Sequence, residues 1–178
     1  MKLDKTWIEK SAKKYDDRAK ANEKECPLEN KIFKSIKGMG STPLFLTKDI
    51  LLCIAEWKAA RVKGHVNKND EQYIIDITQV SLSTKNERLK IEILTLLNGV
   101  QIRMASAILM FCFPEQYTVM DYRAWDSLKA FDKIDEEITD TFECWQKYTV
   151  ICREIATQNG VSLRKLDKAL WQYQGGAK

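Results

Sequence analysis

Apolar residues return every three or four positions along almost the whole chain, so nearly every long segment fits one face of an α-helix. Trp7, Ile8, Ala12 and Tyr15 form such a stripe over 4–20, and Ile50, Leu51, Ile54 and Trp57 form another after Thr47. Only "YIIDITQV" (73–80) has strand-like composition, and a lone strand cannot build a sheet. The pattern therefore predicts an all-α protein.

Local punctuation gives the expected limits of the helices. "CPLEN" (26–30) interrupts the first apolar pattern, and "KIFKSIKG" predicts a short helix ending at Gly38. Pro43 bars a helix from running back through "KGMGSTP". Thr47 is an expected N-cap for a helix running to Gly64, where a C-terminal cap belongs. "NKNDEQYIIDITQVS" and "KNERLKIEILTLL" predict two more helices, followed by one from Ile102 to Phe113 that Pro114 closes. Asp121 opens the next, a long helix ends at Asn159-Gly160, Ser162 caps the last, and "QGGAK" is an expected frayed tail.

With 178 residues, 44% apolar and 30% charged, the chain has enough material for a real core and is not the composition of a disordered protein. No apolar run approaches the roughly 18 residues of a membrane span, and "MKLDKTWIEKSAKKYDD" lacks the apolar stretch of a signal peptide. A soluble cytoplasmic protein without a membrane partner is the expectation. Cys26, Cys53, Cys112, Cys144 and Cys152 form no CxxC pair, and their odd number argues against a disulfide framework. The lone histidine, His65, sits in a polar stretch and reads as solvent-facing, so neither a metal site nor another cofactor is expected.

The net charge of +4 is unevenly spread. Basic residues exceed acidic ones over 1–37 and again over 38–90, where Lys58, Arg61, Lys63 and Lys68 lie close together. Such a cluster suits a phosphate-bearing partner, and it equally suits a solvated lysine-rich surface.

"LLNGVQIRMASAIL" (96–109) is the most informative stretch. A reversal between two helices within a few residues calls for positive φ, which Gly99 supplies readily. The unpaired N–H groups in the first turn of the second helix, with the positive end of its dipole, offer a place for a phosphate oxygen. Ala105, Ser106 and Ala107 allow close approach of a neighbouring helix. Further on, "MFCFPEQYTVMDYRAW" brings Asp121 to the start of a helix.

Together these features resemble the helix-hairpin-helix DNA glycosylase superfamily, the endonuclease III-like group. Its hairpin has the form Leu-Pro-Gly-Val-Gly, precedes a helix rich in small residues, and is followed at a fixed distance by an aspartate. "LNGVQ" stands at the hairpin here, Ala105 at the small position and Asp121 at the aspartate. The lysine of lyase members falls on Arg103, 18 residues before Asp121, which is the family's separation. The resemblance spans about residues 89–131. It implies a two-lobed helical bundle, with 45–131 as the hairpin-containing lobe and 1–44 with 132–178 as a second lobe formed by both chain ends. It also implies double-stranded DNA as partner, contacted by Asn98, Gly99, Gln101 and Arg103, to which the basic cluster adds Lys58, Arg61 and Lys63 as candidate contacts.

Three departures shape the expected chemistry. Asn98 replaces the hairpin proline, Gln101 replaces its second glycine, and Arg103 replaces the Schiff-base lysine. An arginine stays protonated and cannot attack a sugar carbon as a neutral amine, so lyase chemistry is excluded. The chain would belong with the water-using, monofunctional members of base excision repair, without an iron–sulfur module because no four-cysteine cluster is present. Asp121 is then the catalytic residue, activating water or stabilising the sugar cation; its other reading is an N-cap. Tyr122 and Trp57 are candidate walls of a base pocket, although aromatics at helical spacing more often serve a core. The alternative function is a non-catalytic helix-hairpin-helix module binding nucleic acid or a protein partner, and a third is an all-α scaffold with no nucleic-acid role. Neither the base recognised nor the oligomeric state is written in the chain.

Overall fold

The computed structural model describes residues 2–21, 25–40 and 45–175. These residues are all-helical, and no strand occurs among them. "YIIDITQV" is helical, inside α5 (Glu71–Ser83). No helix among the described residues is long and apolar enough to cross a membrane. The expected loop at Pro43 lies outside the described residues.

Two compact units divide the chain: residues 27–113 form one, and 1–26 with 114–178 form the other. This partition assigns 114–131, with Asp121, to the unit made by the two chain ends, whereas the expected hairpin lobe ran from 45 to 131. The physical reason is packing. Ser127, on α8 (Tyr122–Ala130), donates its hydroxyl to the Leu170 carbonyl of α10 (Leu163–Gly175) at 2.5 Å.

In the 27–113 unit, α2 (Glu25–Gly38) starts earlier than expected, because "CPLEN" is helical. Pro27 falls in the first turn, where its missing N–H has no helical partner to lose. Thr47 caps α3 (Lys48–Ala59) by accepting from Ile50 N. The chain leaves the helix at Ala59 (φ −161°, ψ 82°), makes a 3-10 turn over Ala60–Val62, and enters the short α4 (Lys63–Val66). Gly64 is therefore inside a helix and caps nothing. Asp70 and Asn86 cap α5 and α6 (Glu87–Glu92), and a 3-10 turn over Ile93–Leu96 replaces the expected end of the second helix. Every residue of α7 (Ile102–Cys112) except Arg103 is buried, as a helix apolar on all sides must be. Phe113 leaves the helical region (φ −139°, ψ 65°) just before Pro114, which cannot continue the helix.

Lys90 of α6 is the buried cation of this unit. Its ammonium donates to the Ser81 carbonyl at 3.1 Å and lies 5.0 Å from the Phe113 ring centre, while Ser81 Oγ donates back to the Lys90 carbonyl at 2.6 Å. Burial lowers its pKa below the ordinary lysine value, partly offset by the charge of Glu87. The folded state thus releases this proton before the unfolded state does. Stability should rise with pH between the lowered value and the ordinary 10.5, as the penalty on the buried charge is relieved. Chemical denaturation of the wild type beside Lys90→Met across that alkaline range checks this; the methionine variant should lack that increment. Burial also raises the neighbouring Cys112 thiol to about 12.

In the other unit, α10 packs between α1 (Lys5–Ala21) and α8, and also meets α9 (Phe142–Asn159). Thr141 caps α9, which ends at Gly160 with φ +60°, the left-handed C-terminal cap expected from Asn159-Gly160. Ser162 accepts from Lys165 N at the start of α10. The helix runs to Gly175 through the first part of the expected tail, and 176–178 lie outside the described residues. Trp125, Trp145, Tyr117 and Tyr148 are the largest fully buried side chains of the unit.

Candidate nucleic-acid interface and carboxylate site

The sequence "LTLLNGVQI" folds as a 3-10 turn, a tight reversal and the start of α7. Val100 N donates to the Leu97 carbonyl at 3.0 Å, which closes the reversal, and Gly99 takes φ +81°. Asn98 and Gln101 are exposed, while Gly99 and Arg103 are half-buried. Gln101 is the N-cap residue of α7 but makes no side-chain capping bond. By contrast, α3, α5, α6, α8 and α9 each have a side chain on their first N–H groups. The entry to α7 therefore has backbone donors that its own N-cap side chain does not take up, at the positive end of the helix dipole.

The reversal is clasped by a residue that sequence reasoning missed. Asn69 is 2% exposed, and its carboxamide pairs with the backbone of Asn98 in both directions. Its Oδ1 accepts from Asn98 N at 2.8 Å and its Nδ2 donates to the Asn98 carbonyl at 3.1 Å. The same Nδ2 also donates to the Val66 carbonyl at 2.8 Å, which joins the end of α4 to the reversal. The signal was hard to see, because "NKND" reads as an ordinary polar loop and the partner lies 29 residues away.

Gly99 is required here on two grounds. A Cβ on it would stand 3.0 Å from both His65 Cβ and Val66 Cγ2 and 3.1 Å from Val66 N, and its φ is one that branched residues resist. Gly99→Ala should lower stability by about 2–3 kcal/mol, since left-handed strain and a backbone-side clash act together. A urea denaturation series measures it directly.

Of the expected basic contacts, Lys58 is half-buried at the end of α3, and Arg61 and Lys63 are exposed on the 60–66 segment that abuts the reversal. Lys63 is engaged with Glu56 at 2.5 Å, and that hydrogen bond and charge raise its pKa. His65, exposed, stands on the same segment, and the exposed Lys68 follows just beyond its end. Trp57 is half-buried, with its ring edge-on to Phe111 at 4.9 Å, and Phe111 in turn meets Phe33 at 4.9 Å. Trp57 is thus part of an aromatic cluster within its own unit.

Asp121 belongs to the other unit. It sits in extended geometry (φ −140°, ψ 143°), half-buried, and its Oδ1 accepts from Arg123 N at 3.0 Å as the N-cap of α8. The segment leading to it is pinned by α9. Arg153 Nε donates to the Gln116 carbonyl at 2.7 Å, Tyr117 stacks on Trp145 at 5.8 Å, and the Tyr148 hydroxyl donates to the Val119 carbonyl at 3.1 Å. Tyr148 is held neutral: burial foremost, with the fields of Cys152, Asp167 and Asp121, pushes its pKa well up. Sequence reasoning missed Tyr148 and Arg153, whose targets are backbone carbonyls and leave no trace in the pattern of side chains. Tyr122, beside Asp121, is 50% exposed, and Trp125 is buried with its Nε1 donating to the Glu136 carbonyl at 2.9 Å.

Among the described residues no three His, Cys, Asp or Glu side chains gather as a metal ion would require. Compared with known protein families, with curated proteins and with solved structures, the chain matches none.

Proposed function

We propose that this protein binds double-stranded DNA through the reversal at Leu97–Gln101 and the entry to α7, and that it is a monofunctional DNA glycosylase-like hydrolase acting through Asp121. The observation that carries the reading is the N-terminus of α7, which Gln101 leaves without a side-chain cap of its own and which Gly99 and Asn69 hold at the end of a tight reversal. Its backbone donors suit a phosphate oxygen, and Arg61 and His65 on the adjoining segment, with Lys68 just beyond it, suit the neighbouring phosphates.

In the proposed reaction, water oxygen bonds to C1′ of a damaged or modified nucleotide as the C1′–N bond breaks. The base leaves with that electron pair and is protonated, and the water proton passes to the Asp121 carboxylate or to solvent. The carboxylate stabilises positive charge on the sugar as it develops. Arg103 supplies no amine nucleophile, so the product is an intact abasic strand.

The test is base release from duplexes bearing alkylated, oxidised and deaminated bases, read by strand cleavage in hot alkali. Alkali-labile sites formed by the wild type and absent with Asp121→Asn are the expected result. A second reading, a non-catalytic helix-hairpin-helix module binding nucleic acid or a protein, is favoured by one observation: the Asp121 carboxylate already serves as a helix cap. Salt-dependent DNA binding without release of any base would establish that reading instead.

A further inference from the structure

Arg123 lies two residues beyond Asp121 and joins no acidic partner among the described residues. Its guanidinium carbon sits 4.4 Å from the centre of the Trp171 ring, and its Nε donates to the Tyr122 hydroxyl at 3.1 Å. Trp171 carries a second guanidinium, that of Arg18, at 4.1 Å. Arg18 comes from α1 and Arg123 from α8, the two helices between which α10 is packed, so one indole is flanked by cations from both neighbours. Tyr15 meets the same indole edge-on at 5.5 Å.

A guanidinium on an indole gains only a modest cation–π attraction, and Arg123 meets no carboxylate among the described residues. Stacking also fixes the plane of the guanidinium while leaving its in-plane N–H edge able to take a phosphate in bidentate fashion. Moreover, Arg123 is coupled to the carboxylate by its own backbone, because its N–H is the donor that Asp121 Oδ1 accepts. Whatever Asp121 meets, Arg123 is held at a set offset from it.

Resting on the glycosylase-like reading above, we infer that the stack of Arg123, Trp171 and Arg18 is a second phosphate-binding element. It would grip the backbone phosphate of the nucleotide whose C1′ faces Asp121. The sugar and its own phosphates lie within one backbone unit of each other, so a carboxylate at C1′ and a guanidinium on the adjacent phosphate are compatible demands. Tyr122, exposed beside both, orients the guanidinium through its hydroxyl.

The experiment is fluorescence anisotropy with a labelled DNA duplex carrying a tetrahydrofuran abasic analogue, titrated over a series of salt concentrations. Wild type, Arg123→Ala, Arg123→Lys and Trp171→Phe are compared. Arg123→Ala should weaken binding about tenfold and reduce the slope of log affinity against log salt by about one, the signature of a lost phosphate contact. Arg123→Lys should keep the slope and lose several-fold in affinity, because charge remains and the planar fork does not. Trp171→Phe, which leaves a smaller aromatic platform, should keep the salt slope and weaken binding by less than Arg123→Ala does. A wild-type salt slope left unchanged in Arg123→Ala overturns this inference and leaves the glycosylase-like reading standing. Failure of the wild type to bind the duplex even at low salt overturns both. Tighter, Arg123-dependent binding of single-stranded RNA than of the duplex overturns the assignment to DNA.

Discussion

Asn69→Leu is expected to destabilise the protein by about 3 kcal/mol and to weaken DNA binding beyond what unfolding explains. The side chain is nearly the same size, so the change removes hydrogen bonds without opening a large cavity. Three bonds disappear together: those to Asn98 N, the Asn98 carbonyl and the Val66 carbonyl. Asn98 is itself exposed, so its freed backbone groups recover some hydration, and about 1 kcal/mol per bond is the appropriate scale. For a chain of this length the thermal midpoint should fall by roughly 6–12 °C. Asn69→Asp separates the bonds. It keeps an acceptor for Asn98 N but places a carboxylate oxygen against two carbonyls, so it should be no milder than leucine. Thermal unfolding followed by circular dichroism decides the stability effect. Anisotropy at a temperature where both variants are folded decides the binding effect. If the leucine variant proves as stable as the wild type, the clasp does not hold the reversal.

What could be read from the sequence follows from where each cause lies. Thr47, Asp121, Asn159-Gly160 and Ser162 act on backbone groups within a few residues of themselves, and each end of a helix stands where its residue chemistry puts it. The break at Ala59 has no such local cause. No glycine or proline stands there, and the 60–66 segment is instead re-aimed against Gly99 through His65 and Val66. Gly64 looked like a cap only because a helix was assumed to reach it. Asn69 shows the same limit for the candidate site. A buried amide and an exposed one are written identically, and only the fold brings Asn98 to it. Trp57 shows the converse: helical spacing reports that a face is covered, not whether protein or ligand covers it. Here Phe111 lies against that ring. Tyr148 and Arg153 were invisible for a third reason, since both act on carbonyls, which every residue has.

Asp121→Asn is expected to separate activity from folding. Asparagine caps a helix about as well as aspartate, so the bond to Arg123 N survives. The variant gives up the charge–dipole attraction at the start of α8, about 0.3–1 kcal/mol. The pinning of 116–119 by Arg153, Trp145 and Tyr148 involves no atom of Asp121, so the segment that delivers it should be unchanged. The chemistry, in contrast, depends on the charge. A neutral amide neither balances a sugar cation nor takes a proton from water, and base release should fall on the order of 10²–10⁴-fold. Single-turnover release on the most reactive duplex, set beside a denaturation curve, makes the comparison. Release lost with stability retained assigns the carboxylate to chemistry. Release unchanged in Asp121→Asn would mean that another group performs it and that Asp121 is a helix cap alone. If the wild type frees no base yet still binds duplex DNA with a steep salt dependence, the cap reading and the binding module are established together.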